Sequence, residues 1–361
     1  MTIAAPPVPH YVPAPRASEE LEYADLAVID LAKFGTPEGK AKLAAEVRAA
    51  MKDKGFFYVI NHGLTQEQTD RVFDIANIPL AQVSDEEKMK YDGKMQQTGS
   101  YQGYKPRQYW QIDNGVRDQI EHYNMNKNLQ RKDHPEALRP YLGQLHEFIK
   151  HNHFNILHPL LKLLALGMGI QEDIFIPFHN FDARGETFLR FMKYYPRTED
   201  DEQKTKNVWL KGHTDFGSVS ILWSQPVAAL QLICPDGKWR YVSHIPNALV
   251  INAGDALEFL TAGFYRATIH RVVQPPPSQC GHERLGVFYF AMPDDDLALR
   301  PLPIAGKWPV DQRRFADEDA PTMEEYRKGR IVAYGNSETK KDGEGKVEVQ
   351  MIGKVLVRHY N

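Results

Sequence analysis

Asn207-Val208-Trp209-Leu210-Lys211-Gly212-His213-Thr214-Asp215-Phe216-Gly217-Ser218-Val219-Ser220-Ile221-Leu222-Trp223 holds two β-prone runs, 207–212 and 218–223, on either side of a short polar break. Alternate residues of a strand point to one face, so His213 and Asp215 are set to reach a common point. Runs of the same kind recur at 187–195, 228–233, 239–243, 248–252, 268–274 and 284–292, parted by turn residues such as Asp236-Gly237. Eight short β-branched or aromatic runs at this spacing predict an antiparallel sandwich or barrel.

Upstream the pattern turns helical. Ala27 to Leu31 is a strand candidate, and Thr36-Pro37 has the form of a helix cap followed by a first-turn proline. Leu43, Val47 and Met51 recur at four-residue spacing, and Gly55 stops the helix. Phe56 to Ile60 is an apolar strand closed by Asn61-His62-Gly63, and Ser84 to Glu87 is a capping box. Residues 135–169 predict one or two buried helices, with Pro159 as a break. The expected layout is a flexible proline-rich arm over 1–24, a helical N-terminal region over 25–170, a β core over 171–300 and a helical tail over 301–361. From about residue 25 onward it forms a single unit. In the tail, Pro321 to Arg330 is a helix candidate and Ser337 to Lys346 is expected to be mobile.

Composition narrows the function classes. The chain has 361 residues, 42% hydrophobic and 25% charged, with a net charge of −3. That balance suits a soluble globular protein and provides no bulk pull toward nucleic acid or anionic lipid. The apolar stretch Ile156 to Ile170 is too interrupted to span a membrane. The first twenty residues lack the apolar core of a signal peptide. Two cysteines, Cys234 and Cys280, are too few for a disulfide scaffold. The expected setting is cytosolic.

The chemistry-bearing residues lie in the β-rich part. His213 and Asp215 are joined by His270, in the strand-like run Thr268-Ile269-His270-Arg271-Val272-Val273. Two His and one Asp can occupy three adjacent corners of an iron(II) octahedron and leave three open. Taken singly, each has a plainer reading: a turn Asp beside a strand-end His, and a core His bonded to a carbonyl. Arg284 shares a face with Gly286, Phe288 and Phe290; it is either a strand-edge Arg with its head in water or a buried charge that needs an anion such as a dicarboxylate.

Together the blocks Gly55 to Gly63, Lys193-Tyr194-Tyr195-Pro196, His213 to Gly217, Ala248 to Asp255, His270 to Val273 and Arg284 resemble the iron(II)/2-oxoglutarate-dependent dioxygenases, in the branch that includes isopenicillin N synthase and the plant flavonoid and gibberellin oxidases. The resemblance runs from about residue 25 to about 293. It implies a double-stranded β-helix (jelly-roll) core with flanking helices, mainly β overall. It also implies an iron triad of His213, Asp215 and His270, with Arg284 and Tyr195 holding 2-oxoglutarate. The implied reaction uses O2, releases succinate and CO2, and most simply hydroxylates an unactivated C–H bond of a small organic molecule. Two positions depart from the family pattern: Gly286 where Ser is usual, and Lys193 where Asn is frequent.

The expected substrate-facing residues are Tyr104 and Arg107, from an aromatic-basic loop that also holds Tyr101 and Lys105, together with Phe288 and Phe290. No nucleic-acid or membrane partner is expected, and the oligomeric state stays open. His62 reads as a turn or core residue, His282 as exposed, and His151 and His153 as too poorly aligned to chelate a metal. Three alternatives remain: an isopenicillin N synthase-type oxidase or cyclase that needs no 2-oxoglutarate, a non-catalytic metal- or ligand-binding module of the same fold, and a zinc hydrolase.

Overall fold

The computed structural model describes residues 6–303, 314–333, 340–341 and 347–360. Its strands are β1 (Val28–Asp30), β2 (Phe56–Ile60), β3 (Gly103–Lys105), β4 (Gln111–Asp113), β5 (Val116–Arg117), β6 (Ile120–Asn126), β7 (Phe188–Tyr194), β8 (Val208–His213), β9 (Val219–Trp223), β10 (Leu230–Ile233), β11 (Trp239–Tyr241), β12 (Leu249–Ala253), β13 (His270–Val273), β14 (Arg284–Ala291), β15 (Lys340–Lys341), β16 (Val347–Ile352) and β17 (Val355–Tyr360). The α-helices are α1 (Pro37–Asp53), α2 (Gln66–Ala81), α3 (Asp85–Lys90), α4 (Met95–Thr98), α5 (Leu142–Lys150), α6 (His158–Gly167), α7 (Glu199–Thr205), α8 (Asp255–Leu260) and α9 (Met323–Ala333). All eight β runs expected between 187 and 292 form strands.

An eight-stranded sheet in the order β1-β2-β12-β9-β14-β7-β6-β3 faces a seven-stranded sheet in the order β11-β10-β13-β8-β17-β16-β15, giving a jelly-roll core. Strand alternation sorts the larger sheet into two faces. Phe57, Val59, Leu189, Phe191, Ile221, Leu249, Leu285 and Val287 pack with the apolar faces of α1, α2, α5 and α6. Phe56, Tyr58, Phe188, Met192, Tyr194, Leu222 and Val250 turn inward, toward Leu210, Leu230, Leu232 and Val272 of the smaller sheet. Within the N-terminal region, β1, β2, β3 and β6 extend the larger sheet.

Local signals explain most helix ends. Thr36 caps α1 through Gly39 N, and Thr65 with Gln68 forms a full capping box on α2. Pro159 does not break its helix. The chain passes from α5 to α6 through a π-helical turn at His151–Leu157, with Pro159 in the first turn of α6. A widened turn ahead of the ring relieves the clash that an α-helical carbonyl four residues back would make.

Both ends of the chain correct the sequence reading. The arm over 6–24 is extended but bonded along the body. Tyr141 Oη donates to Pro7 O at 2.6 Å, Tyr11 N donates to Asp74 Oδ1 at 2.7 Å, and Gln279 Nε2 donates to Pro15 O at 2.6 Å. Proline-rich chain is extended at little entropic cost and presents its carbonyls to donors. The tail is not purely helical. After α9, β16 and β17 form a hairpin, and Tyr360 pairs with Gly212 of β8. The alternation in Val347-Glu348-Val349 and Val355-Leu356-Val357, with Gly353 at positive φ in the turn, is the signal for that hairpin. Most of 337–346 lies outside the described residues.

Candidate metal centre

His213 ends β8 and His270 opens β13, and the two pair directly in the ladder, with ring centroids 4.5 Å apart. Asp215 follows in the turn between the sheets. His213 Nδ1 donates to Lys211 O at 2.8 Å and His270 Nδ1 to Thr268 O at 3.0 Å. A carbonyl can only accept, so each ring carries its proton on Nδ1 and turns the Nε2 lone pair inward. Both Nε2 atoms lie 3.8 Å from Asp215 Oδ1. That is too far for a hydrogen bond, and it leaves room for an ion between them. The three ligand atoms lie within 4.8 Å of one another.

The carboxylate is aimed by its surroundings. Asp215 Oδ2 accepts from Ser220 Oγ at 2.5 Å and Asn252 Nδ2 at 2.8 Å, which leaves Oδ1 facing the imidazoles. Asp255 N donates to Asp215 O at 2.7 Å, and Arg330 Nη2 of α9 donates to Thr214 O at 2.8 Å. Gly254 is sterically required, because a Cβ there would meet Gly217 O at 2.2 Å. Burial, then His270, holds the His213 imidazole down at about 3. Burial works to raise Asp215, but the two imidazoles and the Asn252 and Ser220 donors bring it below its ordinary value. A neutral His213 imidazole and an ionised Asp215 carboxylate are the ligand forms a divalent metal needs.

Arg284 lies in the same interior, only 2% exposed. Its Nε and Nη1 have no hydrogen-bond partner among the described residues, and burial lowers its pKa. Its guanidinium lies 5.2 Å from the ring of Tyr194, directly opposite it in the β14–β7 register. A buried fork-shaped cation with unmade hydrogen bonds fits a carboxylate. Tyr195, expected beside it, is turned the other way and donates to Glu121 Oε2 at 2.9 Å. Strand alternation is the reason: Tyr194, not Tyr195, shares the Arg284 face.

Of the expected substrate-facing residues, Phe288 and Phe290 point inward, stacked at 5.5 Å. Tyr104 does not. It packs at 4.5 Å against Tyr123 on the helix side of the sheet and donates to Pro79 O. Arg107 is exposed and lies over the Tyr195 ring. Lys105 is buried in an ion pair with Asp118. From the expected loop, Tyr101 is the residue that reaches the centre, stacked on Phe216. His62 bonds Asn247 O, His151 bonds His62 O, and His153 bonds Tyr289 and His179 O, so none of them joins the metal group. His282 is exposed. Lys193 pairs with Glu283 at 2.8 Å, away from the interior.

A narrow cavity with about 60 Å³ of free volume opens onto the centre, walled by Asp215, Phe216, Tyr101, Arg190, Phe290 and Arg330. Asn252 and Ser220 could have been found from the strand register. Arg330 and Arg190 carried no signal in the sequence, since only the fold brings α9 and β7 to the same cavity.

Residues 26–145 match the family described as non-haem dioxygenase in morphine synthesis N-terminal, and residues 187–293 match the 2OG-Fe(II) oxygenase superfamily. The chain is 29% identical over 327 residues to the UPF0676 protein C1494.01 of Schizosaccharomyces pombe, covering 87% of this chain and 94% of that protein. It is 26% identical over 300 residues to the 2-oxoglutarate-Fe(II) type oxidoreductase hxnY of Emericella nidulans, covering 76% and 82%. Among solved structures, a full-length Neurospora crassa protein in complex with alpha-KG superposes with a TM-score of 0.73 at 21% identity, over 88% of this chain and 100% of that one. JOX2 in complex with 2OG, Fe and JA superposes at 0.61 and 21% identity, over 89% of each chain. Among the described residues no helix is long and apolar enough to cross a membrane. With both family regions matched in order and a His-Asp-His site built at the sheet junction, the chain belongs to the 2-oxoglutarate/iron(II) dioxygenase family.

Proposed function

We propose that the protein hydroxylates an unactivated C–H bond of a small organic molecule, with His213, Asp215 and His270 holding iron(II) and Arg284 holding the far carboxylate of 2-oxoglutarate. The observation that carries this reading is the pairing of an aimed three-ligand group with a buried, anion-seeking arginine in one interior. Bound there, iron would couple the oxidative decarboxylation of 2-oxoglutarate by O2 to oxidation of the substrate, with succinate and CO2 released.

The chain's own residues set the conditions for that chemistry. Lys211 O and Thr268 O keep both ligand imidazoles in the metal-binding tautomer. Ser220 and Asn252 keep Asp215 ionised and oriented. Tyr194 covers the Arg284 guanidinium and shields it from water. Tyr101, Phe216 and Phe290 give the cavity aromatic walls that exclude water from the oxidation. The family's usual serine hydroxyl is missing at Gly286, so Arg284 carries a larger share of carboxylate binding here. Free thiols at Cys234 and Cys280 fit a reducing, cytosolic setting.

The test is succinate release by the iron(II)-loaded protein over a small-molecule panel, with and without 2-oxoglutarate. Release that depends on both iron(II) and 2-oxoglutarate and rises with one class of compound supports the reading. Substrate oxidation indifferent to 2-oxoglutarate would favour the isopenicillin N synthase type of reaction instead.

A further inference from the structure

The cavity beside the metal group has about 60 Å³ of free volume. Sites for organic ligands run to about 300–1,000 Å³, so a wall has to move before a substrate can enter. Most of the wall is tied down. Phe188, Arg190, Met192 and Phe290 stand on β7 and β14, strands paired on both sides. The metal turn is held by Asp255 N on Asp215 O and by Arg330 on Thr214 O. Tyr101 is fixed to β6, its carbonyl accepting from Asn124 Nδ2.

Trp110, another wall residue, is placed differently. It leads into the β4–β5 hairpin, a two-stranded sheet joined to neither of the larger ones. The hairpin lies against α7 and β8, with Asn114 Nδ2 donating to Lys204 O at 2.7 Å. Its buried side chains Ile112 and Val116 belong to neither of the two core clusters that hold the body together. Its tip, Asn114-Gly115, has positive φ at both residues, 47° and 81°, as a tight two-residue hairpin turn requires. The element is therefore folded by its own turn and only lightly joined to the core.

One carboxylate fastens it. Asp118 has no exposed surface, and its two oxygens do different work. Oδ1 is bound to the body: it accepts from Lys105 Nζ of β3 and from Ile120 N of β6 at 2.8 Å. Lys105 is fixed in turn by donating to Ile120 O at 2.6 Å. Oδ2 holds the strand that carries the indole, accepting from Tyr109 N at 3.0 Å and Trp110 N at 2.5 Å. The Lys105 ammonium also lies 4.1 Å from the centre of the Trp110 ring, so the cation that anchors the carboxylate supports the indole as well. Such an arrangement fixes one closed geometry without adding much net stability. Stripping water from both charges offsets their attraction, and opening rehydrates them while the two amides exchange Oδ2 for water.

We propose that residues 106–117 form the gate through which the substrate reaches the metal, with Trp110 as its size-selecting face and Asp118 as its latch. The inference rests on the functional reading above in placing the substrate in this cavity. It deepens that reading by naming the wall that admits the substrate and limits its bulk.

Hydrogen exchange and thiol labelling test it on the full-length protein, with and without manganese(II), so neither result depends on turnover or on 2-oxoglutarate. The amides of 108–117 should exchange about tenfold or more faster than those of β6 and β7. Asp118→Asn should speed them about tenfold further and leave β6 and β7 as they were, whereas a merely structural ion pair would speed all of them alike. For labelling, Met192→Cys in a Cys280→Ser background sets a thiol on the cavity wall. Its rates with N-methylmaleimide and the bulkier N-pyrenylmaleimide, each relative to free cysteine, should differ by about tenfold or more, and Trp110→Ala should abolish most of that difference. Gate amides as protected as those of β7, equal acceleration of gate and strands, or an unchanged size preference in a folded Trp110→Ala overturns the proposal. A protein that behaves as expected in both tests but binds neither iron(II) nor 2-oxoglutarate sinks the functional reading and leaves the gate standing.

Discussion

The ring of Phe288 lies folded over Gly286: a Cβ placed on Gly286 would come within 2.6 Å of Phe288 Cε2 and 3.0 Å of Cζ. The position where related enzymes carry a serine hydroxyl is here covered by the ring of a neighbour two residues along the strand. The glycine and the phenylalanine therefore act as one unit. Restoring a side chain at 286 displaces the ring before it can add a hydrogen bond.

Gly286→Ser is thus expected to destabilise the fold by about 1–3 kcal/mol through overcrowding. In the Phe288→Ala background the same substitution should cost much less, because the ring is gone. A double-mutant cycle by urea unfolding measures the coupling. Additive effects would show that the ring and residue 286 do not compete for one space.

Asp215→Ala removes the ligand that both imidazoles face at 3.8 Å. Iron uptake, read by metal analysis after gel filtration, should drop to background while the far-ultraviolet circular dichroism stays unchanged. Stoichiometric iron in this variant would place the metal elsewhere.

Arg284→Leu is expected to raise the apparent 2-oxoglutarate requirement tenfold or more, from loss of a charge-assisted pair worth about 1.5–3 kcal/mol. Tyr195→Phe should leave that requirement within about twofold, because the Tyr195 hydroxyl is spent on Glu121. A large effect from Tyr195→Phe would reverse the assignment of Tyr194 as the inward-facing residue.

Arg330→Met severs α9 from the metal turn. It leaves Asp255, fully buried, with only the Tyr326 hydroxyl at 2.7 Å and the more distant Arg314 guanidinium at 3.7 Å among the described residues. Stability should fall by about 3–5 kcal/mol, as for one half of a buried ion pair. Arg330→Met combined with Asp255→Leu should recover part of that loss. Equal stability of Arg330→Met and the parent in urea would mean the pair contributes nothing.

Acid should loosen the back of the centre. Burial, as the leading cause, holds His153 at about 3 and His179 at about 4. His179 bonds Ser218 Oγ at 2.9 Å, three residues past Asp215, and its carbonyl accepts from His153. Both folded values lie below the unfolded value of about 6.5, so below that pH the unfolded chain binds more protons. Their contribution is complete above pH 6.5 and is lost progressively as pH falls toward 4. A drop in Tm of roughly 5 °C or more between pH 7 and pH 5 is expected, and a flat profile over that range would contradict it.

Much of the architecture was readable before any coordinates. The eight β runs between 187 and 292 all became strands, because short β-branched runs parted by turn residues leave the chain little else to form. The metal group was readable from residue types and spacing, although Asp215 lies in the turn after β8, so the turn rather than strand alternation aims it at the two imidazoles. The tail hairpin has its signal in the alternation of Val347 to Val349 and Val355 to Val357, a weaker local pattern than the charged helix before it. Tyr195 was misplaced because sequence order cannot tell which of two adjacent tyrosines faces inward until the partner strand fixes the register.

What the amino-acid order determined alone was local: strand and helix positions, caps, and the residue types able to bind a metal and a dicarboxylate. Tertiary structure decided everything that depends on which distant strands meet. It paired His213 with His270, set Tyr194 rather than Tyr195 opposite Arg284, and brought Arg330 from the last helix to the metal turn. Side-chain chemistry belongs to the residue. The partner it meets is set by sheet register and packing, which arise only once the whole chain has closed around its interior.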